Sequence, residues 1–231
     1  MQESRLRRFD RLRERMRNPG LSVVLVLELL VIFVLVPING LALFHPPSTQ
    51  VVGGSLVVVA AVVAIARHRV AIALTLIAAA FVLVAEFYRY EWPSHLSDMS
   101  FLLIALVLFF VLTGAIGHVV FGPGRVTFHR IQGAVVVYLH VALIFTYLYA
   151  VVLVLNPGAL GDAIEMTDVF AGAKVLYFSF TTLTTVGYGD ITPVHPFARS
   201  LSNLEAIIGQ LYPATLLARL VTLEIASSGK E

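Results

Sequence analysis

The residues whose types and spacing point to chemistry form one short string, "TTVGYGD", at positions 184–190. Gly187 and Gly189 alternate with larger side chains in it. Because glycine adopts positive-φ conformations that are closed to residues with a Cβ, this alternation would let successive backbone carbonyls point one way. Oxygens stacked along an axis, with the Thr185 hydroxyl below them, can replace the water around a dehydrated monovalent cation. The string therefore predicts a backbone that coordinates an ion.

The composition tells which kind of protein carries this string. Of 231 residues, 58% are hydrophobic and 13% are charged, and the mean hydropathy is +0.89. These values lie far outside the range of soluble domains and predict an integral membrane protein. The absence of cysteine excludes a disulfide framework and a thiolate metal site. Irregular backbone at membrane depth is tolerated only where it is buried in protein or lines an aqueous path.

Apolar runs that can cross the membrane must supply about 20 helical residues each. The sequence offers six of them, at 21–43, 50–66, 70–88, 100–121, 131–155 and 199–225. A further apolar stretch, 169–183, would reach only about 22 Å as a helix and is expected to be re-entrant, with Thr167 or Asp168 as its N-cap. The predicted fold class is an all-α integral membrane protein with six transmembrane helices, a re-entrant pore helix and a selectivity filter.

The distribution of basic residues predicts the orientation, because cytoplasmic loops retain lysine and arginine. With the N-terminus inside, the outer segments hold only Arg89, Lys174 and Arg199 of the 16 basic residues. Both termini are therefore expected in the cytoplasm of a multi-pass protein of the plasma or inner membrane. Residues 1–20 are rich in arginine and are expected to form an amphipathic segment on the anionic inner leaflet, with a solvated basic arm as the alternative.

The string and its surroundings resemble the pore of tetrameric potassium channels, from Thr167 through the last apolar run. Thr-Val-Gly-Tyr-Gly is the filter pentapeptide of those channels, and it stands here unchanged. The resemblance implies a selectivity filter and, beside it, three supporting residues. The filter residues are Thr185, Val186, Gly187, Tyr188 and Gly189, with K⁺ held at the first four; the supporting residues are Thr181, Thr184 and Asp190.

Two positions depart from the pattern of the best-known bacterial pores. Tyr177 and Phe178 stand where many relatives carry a tryptophan pair, and Thr181 stands where some carry a glutamate. These departures concern filter inactivation and leave the filter string itself intact. Because one loop supplies only one side of an ion's coordination shell, several copies of the chain must combine, and the resemblance implies a homotetramer. No cofactor is expected, and K⁺ enters only as the permeant ion.

The layout of six spans with the pore between the last two resembles voltage-gated channels and divides the chain into five parts. These are the basic segment 1–20, a sensor-like bundle 21–121, a linker 122–130, the pore domain 131–226 and a short tail 227–231. Steep voltage sensing needs several charges on a mobile helix. The fourth span has no lysine or arginine, so the channel is not expected to be voltage-gated. Glu28 and Glu86 are expected to be partnered carboxylates or proton-linked sites.

The last span contains a candidate gate at Gly209 and Pro213. Proline removes the hydrogen bond to the carbonyl four residues back, which belongs to the glycine, so the helix is weakened there. A static kink and a hinge are both compatible with this pattern. Leu216, Leu217, Leu220 and Val221 follow as apolar bulk for a constriction near the inner mouth.

Two other functions stay open at this point. A haem-binding membrane oxidoreductase would need paired histidines on facing helices, and His118, His129 and His140 are the candidates. Only His140 lies at depth in a span. A membrane scaffold that kept the pore sequence without conducting is the other alternative, and only flux measurements separate it from a channel. Apart from the oxidoreductase alternative, the chain is not expected to be an enzyme.

Overall fold

A computed structural model describes residues 20–37, 69–122, 128–161, 164 and 171–228. Every regular element within these ranges is a helix. The helices are α1 (Gly20–Leu30, extended by a π-helical turn Val31–Leu35), α2 (Arg69–Glu91), α3 (His95–Phe121), α4 (Phe128–Leu155), α5 (Ala171–Leu183) and α6 (Pro196–Ser228). Among the described residues, α3 and α4 are long and apolar enough to cross a membrane.

Several predicted features lie outside the described residues. They are the basic segment up to residue 19, the span 50–66, the N-cap candidates Thr167 and Asp168, most of the linker 122–130 and the end of the tail, 229–231.

Helices α3, α4 and α6 begin three to five residues earlier in the chain than the apolar runs indicate. The apolar run of α3 starts near residue 100, but Ser94 forms a capping box with Ser97, so the helix begins at His95. Polar residues that look like a loop in the sequence thus belong to the first turn. Similarly, α6 begins at Pro196, where the missing N–H of proline costs no hydrogen bond.

Helix α4 lies at the centre of the described fold and packs against α1, α3, α5 and α6. One buried apolar cluster joins α1, α2 and α3 to the first half of α4, around Leu112 and Ala134. A second cluster joins the C-terminal half of α4 to α5, α6 and the loop before α5, around Tyr149 and Phe178. The packing of α5 is therefore set by α4 on one side and α6 on another.

The two carboxylates predicted inside the bundle have different surroundings. Glu86 is buried and forms an ion pair with Arg89, whose Nη2 lies 2.8 Å from Glu86 Oε1. Arg89 also lies 3.6 Å from Asp98 and over the ring of Phe101, so it ties the end of α2 to the start of α3. Glu28 lies 3.4 Å from His140 on α4, without a hydrogen bond.

Arginines bind the other end of α3. Arg130 Nη1 donates to the Gly122 carbonyl at 2.9 Å, and Arg219 Nη2 donates to the Phe121 carbonyl at 2.8 Å. Carbonyls at a helix C-terminus carry a partial negative charge that cations stabilise. Through Arg219, the lower half of α6 is attached directly to the end of α3.

Candidate functional site

The string 184–190 begins where α5 ends, and one carbonyl turns the chain there. The Thr181 carbonyl accepts hydrogen bonds from two successive backbone N–H groups, those of Val186 at 2.9 Å and Gly187 at 3.1 Å. The preceding N–H of Thr185 still bonds within the helix, to the Thr182 carbonyl at 2.9 Å. The last turn of α5 thereby holds the lower part of the string, and Thr181 supports it through its backbone.

Every second residue of the string, from Thr185 to Gly189, has a positive backbone φ angle. Thr185, Gly187 and Gly189 have positive φ angles of 59°, 51° and 81°. A β-branched residue at positive φ is a rare and strained conformation that clusters at functional sites. An alternation of this kind favours carbonyls that point toward the same side, which suits coordination of a cation by main-chain oxygens.

Tyr177 on α5 braces the upper part of the string from behind. Its ring is stacked on that of Tyr188, with centroids 6.2 Å apart and an angle of 3° between the planes. Its hydroxyl also interacts electrostatically with the Asp190 carboxylate. The sequence marks this position only as a departure from the tryptophan pair of relatives, and the bracing contacts are visible only in the structure.

Gln210 on α6 supports the lowest residue of the string. Its Nε2 donates to Thr185 Oγ1 at 2.9 Å. The Thr185 hydroxyl keeps its own proton and its second lone pair for another contact. Sequence reasoning missed Gln210, although an amide in an apolar span next to Gly209 is a signal that a search for polar residues would find.

Gly209 lies where α6 crosses the end of α5. A Cβ placed on Gly209 would lie 1.8 Å from the Leu183 carbonyl oxygen and 2.8 Å from its carbon. Glycine is thus required for close packing of α6 against the residue that precedes the string. A substitution at Gly209 therefore tests this packing as well as any hinge, and the two effects cannot be separated at that position.

The sequence also predicts a bend in α6 at Pro213. The helix runs on past this proline to Ser228. One residue before it, the Tyr212 hydroxyl donates to the Ala134 carbonyl of α4 at 2.7 Å. Leu216 packs against the first apolar cluster and Leu217 is exposed. The side chains of Leu220 and Val221 lie outside the described part of the chain.

The string and one face of α6 expose large apolar side chains. Val186 and Tyr188 are 53% and 71% exposed, and Thr184 and Asp190 are exposed with them. On α6 the residues Leu204, Ile207 and Leu211 recur at helical spacing and are about half exposed. A single chain leaves this continuous surface uncovered.

Two of the three histidines that were candidates for haem ligands contact other side chains. His140 is buried, and its Nδ1 lies 3.1 Å from Thr113 Oγ1 while its Nε2 faces Glu28. His129 contacts Ser22 at 3.2 Å, far along the helix from His140. Within the described residues, no three His, Cys, Asp or Glu side chains converge on a possible metal position. The geometry thus gives the haem alternative no support.

Comparisons with known proteins find similarity over part of the chain. Residues 133–225 match a family described as "Ion channel". A stretch of 53 residues is 40% identical to the inward rectifier potassium channel Kirbac3.1 of Paramagnetospirillum magnetotacticum, covering 23% of this chain and 18% of the relative. Protein LctB of Geobacillus stearothermophilus is 46% identical over 46 residues, which is 20% of this chain and 34% of that protein.

The chain thus spans well under half the length of these curated relatives. No solved structure matches it. The family match covers α4, α5, the string and most of α6. It therefore concerns the elements that hold residues 184–190, and it identifies a membrane protein with an ion channel domain.

Proposed function

We propose that the chain is one subunit of a homotetrameric channel that conducts K⁺ selectively and passively, because residues 133–225 match an ion channel family and a stretch of 53 residues is 40% identical to an inward rectifier potassium channel. The single observation that carries the proposal is the positive φ angle at every second residue of the intact string, namely Thr185, Gly187 and Gly189. Carbonyl oxygens of Thr185 through Tyr188 and the Thr185 hydroxyl are the proposed ion ligands. The protein supplies no cofactor and carries out no covalent chemistry in this role.

The tetramer follows from what one chain lacks. One loop can surround an ion on one side only, and closed rotational symmetry provides the remaining ligands. The exposed faces of Val186, Tyr188, Leu204, Ile207 and Leu211 are the surface that neighbouring subunits would cover.

In the proposed topology, six helices cross the membrane and α5 is re-entrant. The 13 residues of α5 reach about 20 Å, too short to cross. Both termini lie in the cytoplasm of a multi-pass protein of the cell membrane, and the basic N-terminal segment contacts anionic lipids. The C-terminus of α5 then points inward, and its partial negative charge favours a cation below the filter.

We expect conduction to depend weakly on voltage. Helix α3 (His95–Phe121) contains no lysine or arginine, whereas one elementary charge must cross the field to gain about 2.3 kcal/mol per 100 mV. Open probability, measured in single-channel records between strongly negative and strongly positive potentials, should change little. A steep conductance curve with several gating charges would contradict this expectation, unless permeant ions moving in the filter carried the charge.

Pro213→Ala should shift gating toward the closed state. Alanine supplies the N–H that the Gly209 carbonyl lacks, so α6 loses the weak point at which its lower half would bend outward. One helix hydrogen bond is worth about 1 kcal/mol, so the ratio of open to closed time should fall by about fivefold or more in single-channel records.

The matched control for this substitution is Pro196→Ala, at the first residue of the same helix, where no helical hydrogen bond is missing. This variant should gate as the wild type does. Ion selectivity should be unchanged in both variants. Equal gating of Pro213→Ala and the wild type would show that the proline makes a static kink and that the gate lies elsewhere.

Cation flux into proteoliposomes tests the proposed function. Purified protein should carry K⁺ and should be blocked by Ba²⁺, whose size is close to that of K⁺ and whose double charge slows its exit from a carbonyl cage. Native mass spectrometry of the same preparation should show four chains per complex. A tetramer without flux would identify the non-conducting scaffold instead.

A further inference from the structure

Glu205 is a buried carboxyl group behind the filter that conduction as described above does not use. It lies on α6 and is fully buried. Its Oε1 is 2.5 Å from Ser179 Oγ on α5, and its Oε2 accepts a hydrogen bond from the Tyr149 hydroxyl on α4 at 2.7 Å. One side chain therefore joins the three helices that surround the string.

The hydrogen bonds around Ser179 need one more proton than its hydroxyl has, and this indicates the ionisation state of Glu205. Ser179 Oγ lies 2.7 Å from the Ala142 carbonyl oxygen as well as 2.5 Å from Glu205. A serine hydroxyl has one proton, and a carbonyl oxygen can only accept. If Ser179 donates to Ala142, the contact with Glu205 is a hydrogen bond only when the carboxyl group supplies the proton.

The opposite assignment leaves a defect. If Glu205 is ionised, Ser179 must donate to it, and the Ser179 and Ala142 oxygens then face each other at 2.7 Å with no proton between them. Short contacts between bare oxygens in a buried site are unfavourable, because each loses its hydrogen bond to water without a replacement. The protonated carboxyl group gives every contact in the cluster one proton.

Among the described residues, no basic side chain interacts with Glu205. From α5 it meets Ser179, and from α4 it meets Tyr149, with Tyr138 near enough to be affected by its charge. Neither tyrosine is basic, and Ser179 does not titrate. An ionised carboxylate would therefore be buried without a cation, which is unfavourable in a low-dielectric environment.

We propose that Glu205 is protonated at neutral pH and is a positioning residue that fixes α5 between α4 and α6, so that loss of its proton at alkaline pH disorders the filter. This proposal rests on the function proposed for residues 185–189. Ionisation would draw the Ser179 proton to the carboxylate and away from Ala142. Ser179 lies two residues before Thr181, whose carbonyl holds the N–H groups of Val186 and Gly187. The displacement is thus passed directly to the string.

Infrared spectroscopy of the full-length protein in lipid tests the protonation state without reference to conduction. At neutral pH, the wild type minus Glu205→Gln difference spectrum should contain the C=O stretch of a protonated carboxylic acid. That band should disappear from the wild type at alkaline pH. Glu28→Gln serves as the matched control, because it also removes a buried carboxyl group and should leave the Glu205 band in place. No protonated-acid band that depends on Glu205 would overturn the proposal.

The pH profile of K⁺ flux tests the positioning role. Wild-type flux should fall by about tenfold as the pH rises through the ionisation of Glu205, because the buried Ala142 carbonyl then loses its hydrogen bond from Ser179. Glu205→Gln should keep its flux and show no such fall, since its amide N–H can donate to Ser179 and its oxygen can accept from Tyr149. Glu205→Ala should lose flux at every pH.

The possible failures are distinguishable. A wild type that carries no K⁺ at any pH would overturn the proposed function and the positioning role with it, whereas the infrared result would still decide the protonation state. A conducting wild type whose alkaline fall is shared by Glu205→Gln would overturn the inference alone. Equal flux in Glu205→Ala and the wild type would do the same.

Discussion

Gly187→Ser is expected to remove most of the discrimination between potassium and sodium. Gly187 has a φ of 51° and no atom within 4 Å of where its Cβ would lie. The damage therefore comes from the backbone and not from a clash within the subunit. A left-handed residue with a Cβ costs about 1–2 kcal/mol, and a tetramer carries that cost four times. We expect the permeability ratio of potassium to sodium to fall by about tenfold or more in bi-ionic potential measurements.

The matched control for this substitution is Gly172→Ser, in the first turn of α5. That glycine also has free space around its Cβ position, and its φ does not lie in the left-handed region. The control should conduct and select as the wild type does. Equal loss of selectivity in both variants would show that any serine near the pore disturbs it, and unchanged selectivity in Gly187→Ser would contradict the role assigned to the backbone.

Gly209→Ala is expected to abolish conduction by displacing the end of the pore helix. The added methyl group would lie 1.8 Å from the Leu183 carbonyl oxygen, and backbone atoms cannot move away as a flexible side chain would. Overpacking of this kind typically costs about 1–3 kcal/mol in each chain. Because Leu183 precedes Thr184, relief of the clash must shift the start of the string. K⁺ flux per tetramer should fall by about tenfold or more.

Gly114→Ala on α3 is the control for the effect of alanine on a helical glycine. No atom lies within 4 Å of its Cβ position, so the substitution should be tolerated and should leave flux unchanged. Normal flux in Gly209→Ala would show that α6 and α5 can separate at this point without affecting the string. Such a result would also count against a hinge at Gly209, because alanine removes the flexibility that a glycine hinge would supply.

The parts of this site that the sequence predicts are those that local chemistry determines. Residues 185–189 can be identified because glycine at alternate positions is required by the backbone conformation itself. Helices α4 and α6 follow from apolar runs of sufficient length. The ends of helices are less predictable: α3 begins at His95 because Ser94 and Ser97 bind each other's backbone, and those serines resemble a loop in the sequence.

What the sequence does not predict depends on which helices meet. The contact between Gly209 and Leu183 joins residues on different helices, and nothing at either position announces the other. The same holds for Tyr177 with Tyr188 and for Gln210 with Thr185. Glu205 is a different case, because a carboxyl group in an apolar span is visible in the sequence, as Glu28 and Glu86 are. Its partners, Ser179 and Tyr149, become known only from the packing of α4, α5 and α6.

The measurement that tests the central claim most directly is the bi-ionic reversal potential of the wild-type protein in a planar bilayer, with potassium on one side and sodium on the other. Carbonyls held by the alternating backbone of Thr185, Gly187 and Gly189 should favour the ion that fits them without its water. The current should therefore reverse far from zero, at the potential expected when only potassium permeates. Reversal at zero, with equal permeability for both ions, would contradict the account.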